Sequence, residues 1–126
     1  MQELTRILYV EDDPDIQAIA LMVLETISGF TVEACYCGSE ALEKAVAFKP
    51  DLVLLDVMMP GMDGPETLKG LRNFPELVQT PVVFMTAKVQ PREVEGYLKL
   101  GAAGVIAKPF DPMTLAQELR NIWARQ

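Results

Sequence analysis

Histidine is absent from the 126 residues. Without an imidazole the chain can run neither Ser-His-Asp nor Cys-His catalysis, cannot bind zinc through histidine, and cannot carry a phosphohistidine of its own. Cysteine is scarce, occurring only as Cys35 and Cys37. On one strand that C-x-C spacing sets the two Cα atoms about 6.6 Å apart, at the outer limit for a disulfide. Both are expected to be reduced thiols. Positive charge is in deficit, with 11 Lys and Arg against 18 Asp and Glu for a net charge of −7. Such a surface repels phosphate backbones and anionic headgroups, which argues against direct nucleic-acid binding and membrane-surface binding. No apolar run approaches the ~20 residues of a bilayer span. The first residues, with Glu3 and Arg6, lack the basic-then-apolar pattern of a signal peptide, so a cytoplasmic protein is expected. Neither G-x-x-x-x-G-K-[ST] nor a post-strand G-x-G-x-x-G is present, so nothing cradles a nucleotide.

Half of the residues are apolar, enough for one core without disulfide or metal staples. No repeat, low-complexity tract or linker interrupts the chain, so residues 1–126 read as a single domain. Four short apolar runs stand out: Ile7–Val10, Leu52–Leu55, Val82–Met85 and Val105–Ala107. Continuous apolar character over so few residues suits strands buried on both faces. Thr31–Cys35 alternates more and reads as a strand near an edge.

Helical patterns lie between the runs. Asp13-Pro14 gives an N-cap and a first-turn proline, followed by apolar residues at helical spacing from Ile16 to Ile27, ending at Gly29. Ser39 is the expected cap of a second helix that stops before Pro50. A third opens at Gly64-Pro65 and runs to about Asn73, and a fourth runs from Pro91 to Leu100. Asp111-Pro112 repeats the cap-and-proline signal for a fifth helix bearing Leu115, Leu119, Ile122 and Trp123. The alternation is (βα)5. It implies an α/β fold, a doubly wound five-stranded parallel sheet with helices on both faces. A closed barrel would need roughly twice the length.

In such a sheet all strands end on one edge, where ligands bind. The residues after the apolar runs are Glu11, Asp12 and Asp13, then Asp56, Thr86 and Lys108. Carboxylates gathered this closely raise each other's pKa unless a cation sits among them, and one lysine is too little. A hard divalent cation, magnesium, completes the set. The Thr86 hydroxyl and Lys108 ammonium are left as donors to a tetrahedral anion, an inventory suited to phosphoryl transfer. Asp56, alone on a central strand, is the candidate acceptor, because a carboxylate can form an aspartyl-phosphate. Taken singly, Asp13 is explained by helix capping, Thr86 by a strand-end turn and Lys108 by a solvated loop. The methionines Met58, Met59 and Met62 read as loop packing around Pro60-Gly61 rather than soft-metal ligands.

Ile7-Leu8-Tyr9-Val10-Glu11-Asp12-Asp13, Leu54-Leu55-Asp56-Val57-Met58-Met59-Pro60 with Met62-Asp63-Gly64, Met85-Thr86-Ala87 and Lys108-Pro109-Phe110 resemble, in order and spacing, the receiver domain of two-component response regulators. The resemblance covers nearly the whole chain. It implies a flavodoxin-like three-layer sandwich in which Asp56 takes a phosphoryl group from a sensor histidine kinase or a histidine phosphotransfer protein. It further implies Mg2+ held by Glu11, Asp12, Asp56 and the backbone carbonyl of Met58, with Asp13 as helix cap. Thr86 and Lys108 would bind phosphoryl oxygens, Ala87 would leave room for them, and Lys108-Pro109 would be cis. The face formed by the fourth helix, fifth strand and fifth helix would meet a downstream protein. One departure is Val105, at a position that usually carries a switching Tyr or Phe in this family. Met58 and Lys88, the residues two beyond Asp56 and Thr86, offer no amide or carboxylate to orient water, so a long-lived phosphoryl group is expected.

Two rivals remain. A magnesium-dependent aspartyl-phosphate phosphatase of the haloacid dehalogenase type wants an acid two residues after the nucleophile, where this chain has Met58. A phosphorylation-independent interaction module would not need the full polar set. The expectation is a switch rather than an enzyme. A free-standing regulator is favoured over a fragment by the ending at Arg125-Gln126.

Overall fold

The computed structural model describes residues 2–126. Its strands are β1 (Arg6–Val10), β2 (Thr31–Cys35), β3 (Leu52–Asp56), β4 (Val82–Thr86) and β5 (Gly104–Ala107). They form one parallel sheet in the order β2-β1-β3-β4-β5. The helices are α1 (Pro14–Leu21), α2 (Gly38–Phe48), α3 (Gly64–Leu71), α4 (Pro91–Lys99) and α5 (Leu115–Ala124). The expected doubly wound (βα)5 sandwich is therefore the fold. Winding reverses between β1 and β3, which opens a crevice beyond their carboxyl ends.

Each apolar run divides its residues between the two faces with period two. Ile7, Tyr9, Leu52, Leu54, Val83, Met85 and Ile106 point to the side covered by α1 and α5, through Ala20, Leu115, Leu119 and Ile122. Leu8, Val10, Val53, Leu55, Val82 and Phe84 point to the side covered by α2, α3 and α4, through Ala41, Ala45, Leu68, Leu71 and Tyr97. β2, more alternating in sequence, is an edge strand with a half-exposed pattern.

Three helix ends differ from the sequence expectation. Cys37, not Ser39, occupies the N-cap of α2. The Glu40 carboxylate accepts from Tyr36 N at 2.6 Å and fixes the turn early, while the Ser39 hydroxyl lies 3.3 Å from Cys37 Sγ. The expected helix after Pro14 does reach Ile27, but residues Met22–Ile27 wind as a π-helix. The wider turn is marked by Ser28 N donating to Val23 O at 3.0 Å, and Val23 and Leu24 within it are both buried in the core. Asp111 caps a separate turn, its carboxylate accepting from Met113 N at 2.8 Å, and α5 begins only at Leu115. A 3-10 turn at Pro75–Leu77 has no counterpart in the sequence expectation; Arg72 secures it by donating to the carbonyls of Leu77 and Thr80, each at 2.7 Å.

The Tyr9 hydroxyl is buried without a hydrogen-bond partner among the described residues. Stranding a hydroxyl in this way costs on the order of 1–3 kcal/mol. Tyr9→Phe is therefore expected to unfold at an equal or higher denaturant midpoint than wild type, with an unchanged slope; a lower midpoint would mean that the hydroxyl has a partner in solution.

Candidate functional site

The crevice gathers side chains from the ends of four strands, β1, β3, β4 and β5. β1 hands the chain to Glu11 and Asp12 immediately after Val10. Asp13 turns the backbone into α1, its carboxylate accepting from Asp15 N at 2.9 Å and Ile16 N at 3.2 Å. Asp13 is thereby committed to capping, as anticipated. β3 delivers Asp56 as its last residue, one position further into the strand than the apolar run suggested, with Val57 N donating to Met85 O at 3.1 Å. Thr86 likewise ends β4 and is 2% exposed. Lys108 follows β5 directly, and the Lys108–Pro109 peptide is cis.

Glu11, Asp12 and Asp56 converge so that one carboxylate oxygen from each lies within 4.8 Å of the others. Asp12 is the least buried of the three. Lys108 Nζ donates to Glu11 Oε1 at 3.0 Å and pairs with Asp56 Oδ1 at 3.3 Å. The second Glu11 oxygen accepts from Asp13 N at 3.2 Å. Thr86 Oγ1 accepts from Lys88 N at 3.1 Å, which leaves the hydroxyl proton free to donate. Met58 sits on the loop two residues past Asp56, its side chain 65% exposed.

The electrostatics follow from burial. Desolvation pushes Glu11 up to about 7, against the pull of its Lys108 hydrogen bond. Desolvation likewise raises Asp56, partly opposed by Lys108. For Lys108, burial acts against the charge, but the Glu11 hydrogen bond and the Asp56 and Glu11 fields outweigh it and the ammonium is held more firmly protonated. Three carboxylates thus face one ammonium. An all-oxygen donor set with surplus negative charge, open on the Asp12 side, fits a hard divalent cation.

Several supporting residues carry little or no signal in the sequence. Gln17 looks like a surface position of α1, yet it is buried, and its amide donates to Glu11 O at 3.2 Å and Cys35 O at 3.0 Å. It ties the acidic turn to the end of β2. Gly64 N donates to Val57 O at 2.9 Å and lets α3 start against the acceptor strand; a Cβ there would lie 2.8 Å from both Asp56 O and Val57 Cα. Only the Gly64-Pro65 helix start hinted at this role. Beside Met58, a crevice of about 490 Å³ runs between the two loops, walled by Met58, Lys88 and Tyr97. Cys35 and Cys37 are free thiols. No helix among the described residues is long and apolar enough to cross a membrane.

Residues 7–120 match the response regulator receiver domain family. The response regulator Rre1 of Synechocystis is 35% identical over 127 aligned residues, spanning 100% of this chain and 54% of that protein. The alkaline phosphatase synthesis transcriptional regulatory protein PhoP of Bacillus subtilis is 38% identical, over 95% of this chain and 49% of that protein. The chemotaxis protein CheY4 of Vibrio cholerae superposes with a TM-score of 0.87 at 32% identity, covering 94% of this chain and 98% of that one. The chain belongs to the receiver domains of two-component response regulators, a family that signals through phosphorylation of an aspartate. It spans about half the length of the curated relatives it matches.

Proposed function

We propose that Asp56 is the phosphoacceptor of this receiver, loaded by a sensor histidine kinase or a histidine phosphotransfer protein. The observation that carries the assignment is the Asp56–Lys108 pair at 3.3 Å inside the acidic trio. An Asp56 carboxylate oxygen attacks the phosphorus of the donor phosphohistidine, the P–N bond breaks, and the donor imidazole leaves with its electron pair and takes up a proton. The product is an acyl phosphate. Lys108 is placed to pair with one phosphoryl oxygen as the new dianion draws it from Glu11, and the Thr86 hydroxyl donates to another. Glu11, Asp12, Asp56 and the Met58 carbonyl would hold a Mg2+ ion, which would supply the charge neutralisation that one lysine cannot. Glu11 and Asp12 hold the cation site open while Asp13 and Gln17 fix their backbone. Residues 1–126 act as one receiver domain, a cytoplasmic switch rather than an enzyme with a released product.

The output runs through a protein that meets the face of α4, β5 and α5. Val105 is only half-buried on that face, so the aromatic common at this position does not report here. PhoP of Bacillus subtilis is named as a transcriptional regulator. Any such output in this protein would belong to sequence beyond the receiver, since a charge of −7 disfavours direct DNA contact.

Incubation with acetyl phosphate and Mg2+ is expected to add one phosphoryl group per chain, and EDTA to prevent it. Uptake that is indifferent to EDTA would overturn the reading. Two further outcomes follow from the geometry. Because neither Met58 nor Lys88 supplies an amide or carboxylate to orient the attacking water, the phosphoryl group should persist for many minutes in the purified protein; loss within seconds, with no partner present, would contradict that. Because Glu11 titrates near 7, Mg2+ must displace a proton at lower pH. Affinity for Mg2+ by calorimetry should fall about tenfold from pH 8 to pH 6, the weakening of one displaced proton, and a pH-independent affinity would count against Glu11 as a ligand.

A further inference from the structure

α4 is the least anchored helix of the fold, with no fully buried residue, with Leu98 exposed on it and Leu100 exposed at its C-cap. Its contribution to the core cluster is one half-buried side chain, Tyr97. The Tyr97 ring meets Phe84 edge-to-face, centroids 5.4 Å apart and planes at 77°. Such a pair is worth about 0.5–1.5 kcal/mol beyond the area it buries. Phe84 is wholly buried on β4, opposite Val105 in register. It stands two residues before Thr86, so both side chains leave the strand on the face that α4 covers. Tyr97 also walls the crevice that Met58 and Lys88 share. The same ring thus touches the strand that carries the Thr86 hydroxyl and the space beside the loop that follows Asp56. Val105 is too small to fill that space from β5.

We propose that Tyr97 is the positioning residue that transmits the state of Asp56 to the outer surface of α4. The inference rests on Asp56 as phosphoacceptor. A phosphoryl group on Asp56 recruits Thr86 and Lys108, moves the end of β4 and the Lys88 loop, and changes the floor against which the Tyr97 ring packs. With no other core anchor, α4 re-seats as the ring does. The exposed Leu98 is re-aimed with it, and a partner that reads α4 sees two different surfaces.

Hydrogen exchange of the α4 amides, measured with Mg2+ alone and with Mg2+ plus beryllofluoride as a phosphoryl mimic, tests this. In wild type the α4 amides should change rate roughly fivefold or more on adding beryllofluoride, the lower range of a coupling of this kind. In Tyr97→Ala they should exchange fast in both states, with a change below about twofold, while acetyl phosphate still labels the protein. Tyr97→Phe keeps the ring edge and should keep the wild-type response, as should Leu98→Ala on the outer side. An α4 that responds equally in wild type and Tyr97→Ala, or that fails to respond in wild type although labelling is normal, overturns the role of Tyr97. Loss of labelling in wild type overturns instead the phosphoacceptor assignment beneath it. Should Tyr97→Ala not fold, a Tyr97→Phe protein that labels normally but loses the response would overturn the ring-packing account by itself.

Discussion

Asp56→Asn is expected to raise the unfolding midpoint of the metal-free protein by several degrees at pH 8, a gain of about 1–3 kcal/mol. The expectation arises because Asp56 is 3% exposed and shares Lys108 with the fully buried Glu11. Burial outweighs the pairing and pushes both carboxyl groups upward. A carboxyl whose folded pKa lies above its unfolded value favours folding at low pH, and that contribution is lost as pH rises through the folded value. The metal-free wild type should accordingly be more stable at pH 6 than at pH 8. The asparagine variant should show its advantage at pH 8 and lose it as the acidic groups take up protons. It leaves Glu11 and Lys108 as a one-to-one pair. Saturating Mg2+ should raise the wild-type midpoint far more than that of the variant. A variant that melts below wild type at pH 8 would mean that the Asp56–Lys108 attraction exceeds the burial cost, which would remove the main physical need for a cation.

Gly64→Ala is expected to cost roughly 2–3 kcal/mol and to slow phosphoryl uptake in whatever fraction remains folded. The added methyl would meet backbone, not a flexible side chain: Asp56 O and Val57 Cα would each lie 2.8 Å from it. Relief requires α3 to retreat from β3, which breaks the Gly64 N to Val57 O bond. That change acts on the peptide next to the acceptor carboxylate. Gly96→Ala, where a Cβ meets nothing within 4 Å, is the matched control and should be neutral or mildly stabilising. Equal midpoints for the two variants would show that the start of α3 is free to shift without cost.

The sheet was legible because fully buried parallel strands must be apolar throughout. Every run came within a residue or two of its strand, and the polar residues next to the runs marked the ligand edge. The extra residue at the ends of β3 and β4 was hidden because Asp56 and Thr86 still pair through the backbone while their side chains are polar. Which carboxylate does what was less visible. Glu11, Asp12 and Asp13 are interchangeable in composition, and only the turn into α1 separates the cap from the cation-facing pair. Gln17 reads as a solvent-side residue because nothing local tells that Cys35 O, from another strand, needs a donor. The π-helical widening at Met22–Ile27 leaves no mark in the apolar spacing, which is compatible with an ordinary helix. Tyr97 sits on a mostly polar helix with few apolar residues, so its contact with Phe84 appears only once α4 is laid on the sheet.

The most direct measurement is to label the protein with acetyl phosphate in Mg2+, trap the acyl phosphate by borohydride reduction, and locate the modified residue by peptide mass spectrometry. Conversion of Asp56 to homoserine, and of no other residue, is the expected result. Reduction at Asp12, Asp13 or Asp63, or none at all under conditions that label a known receiver, would contradict the assignment of Asp56.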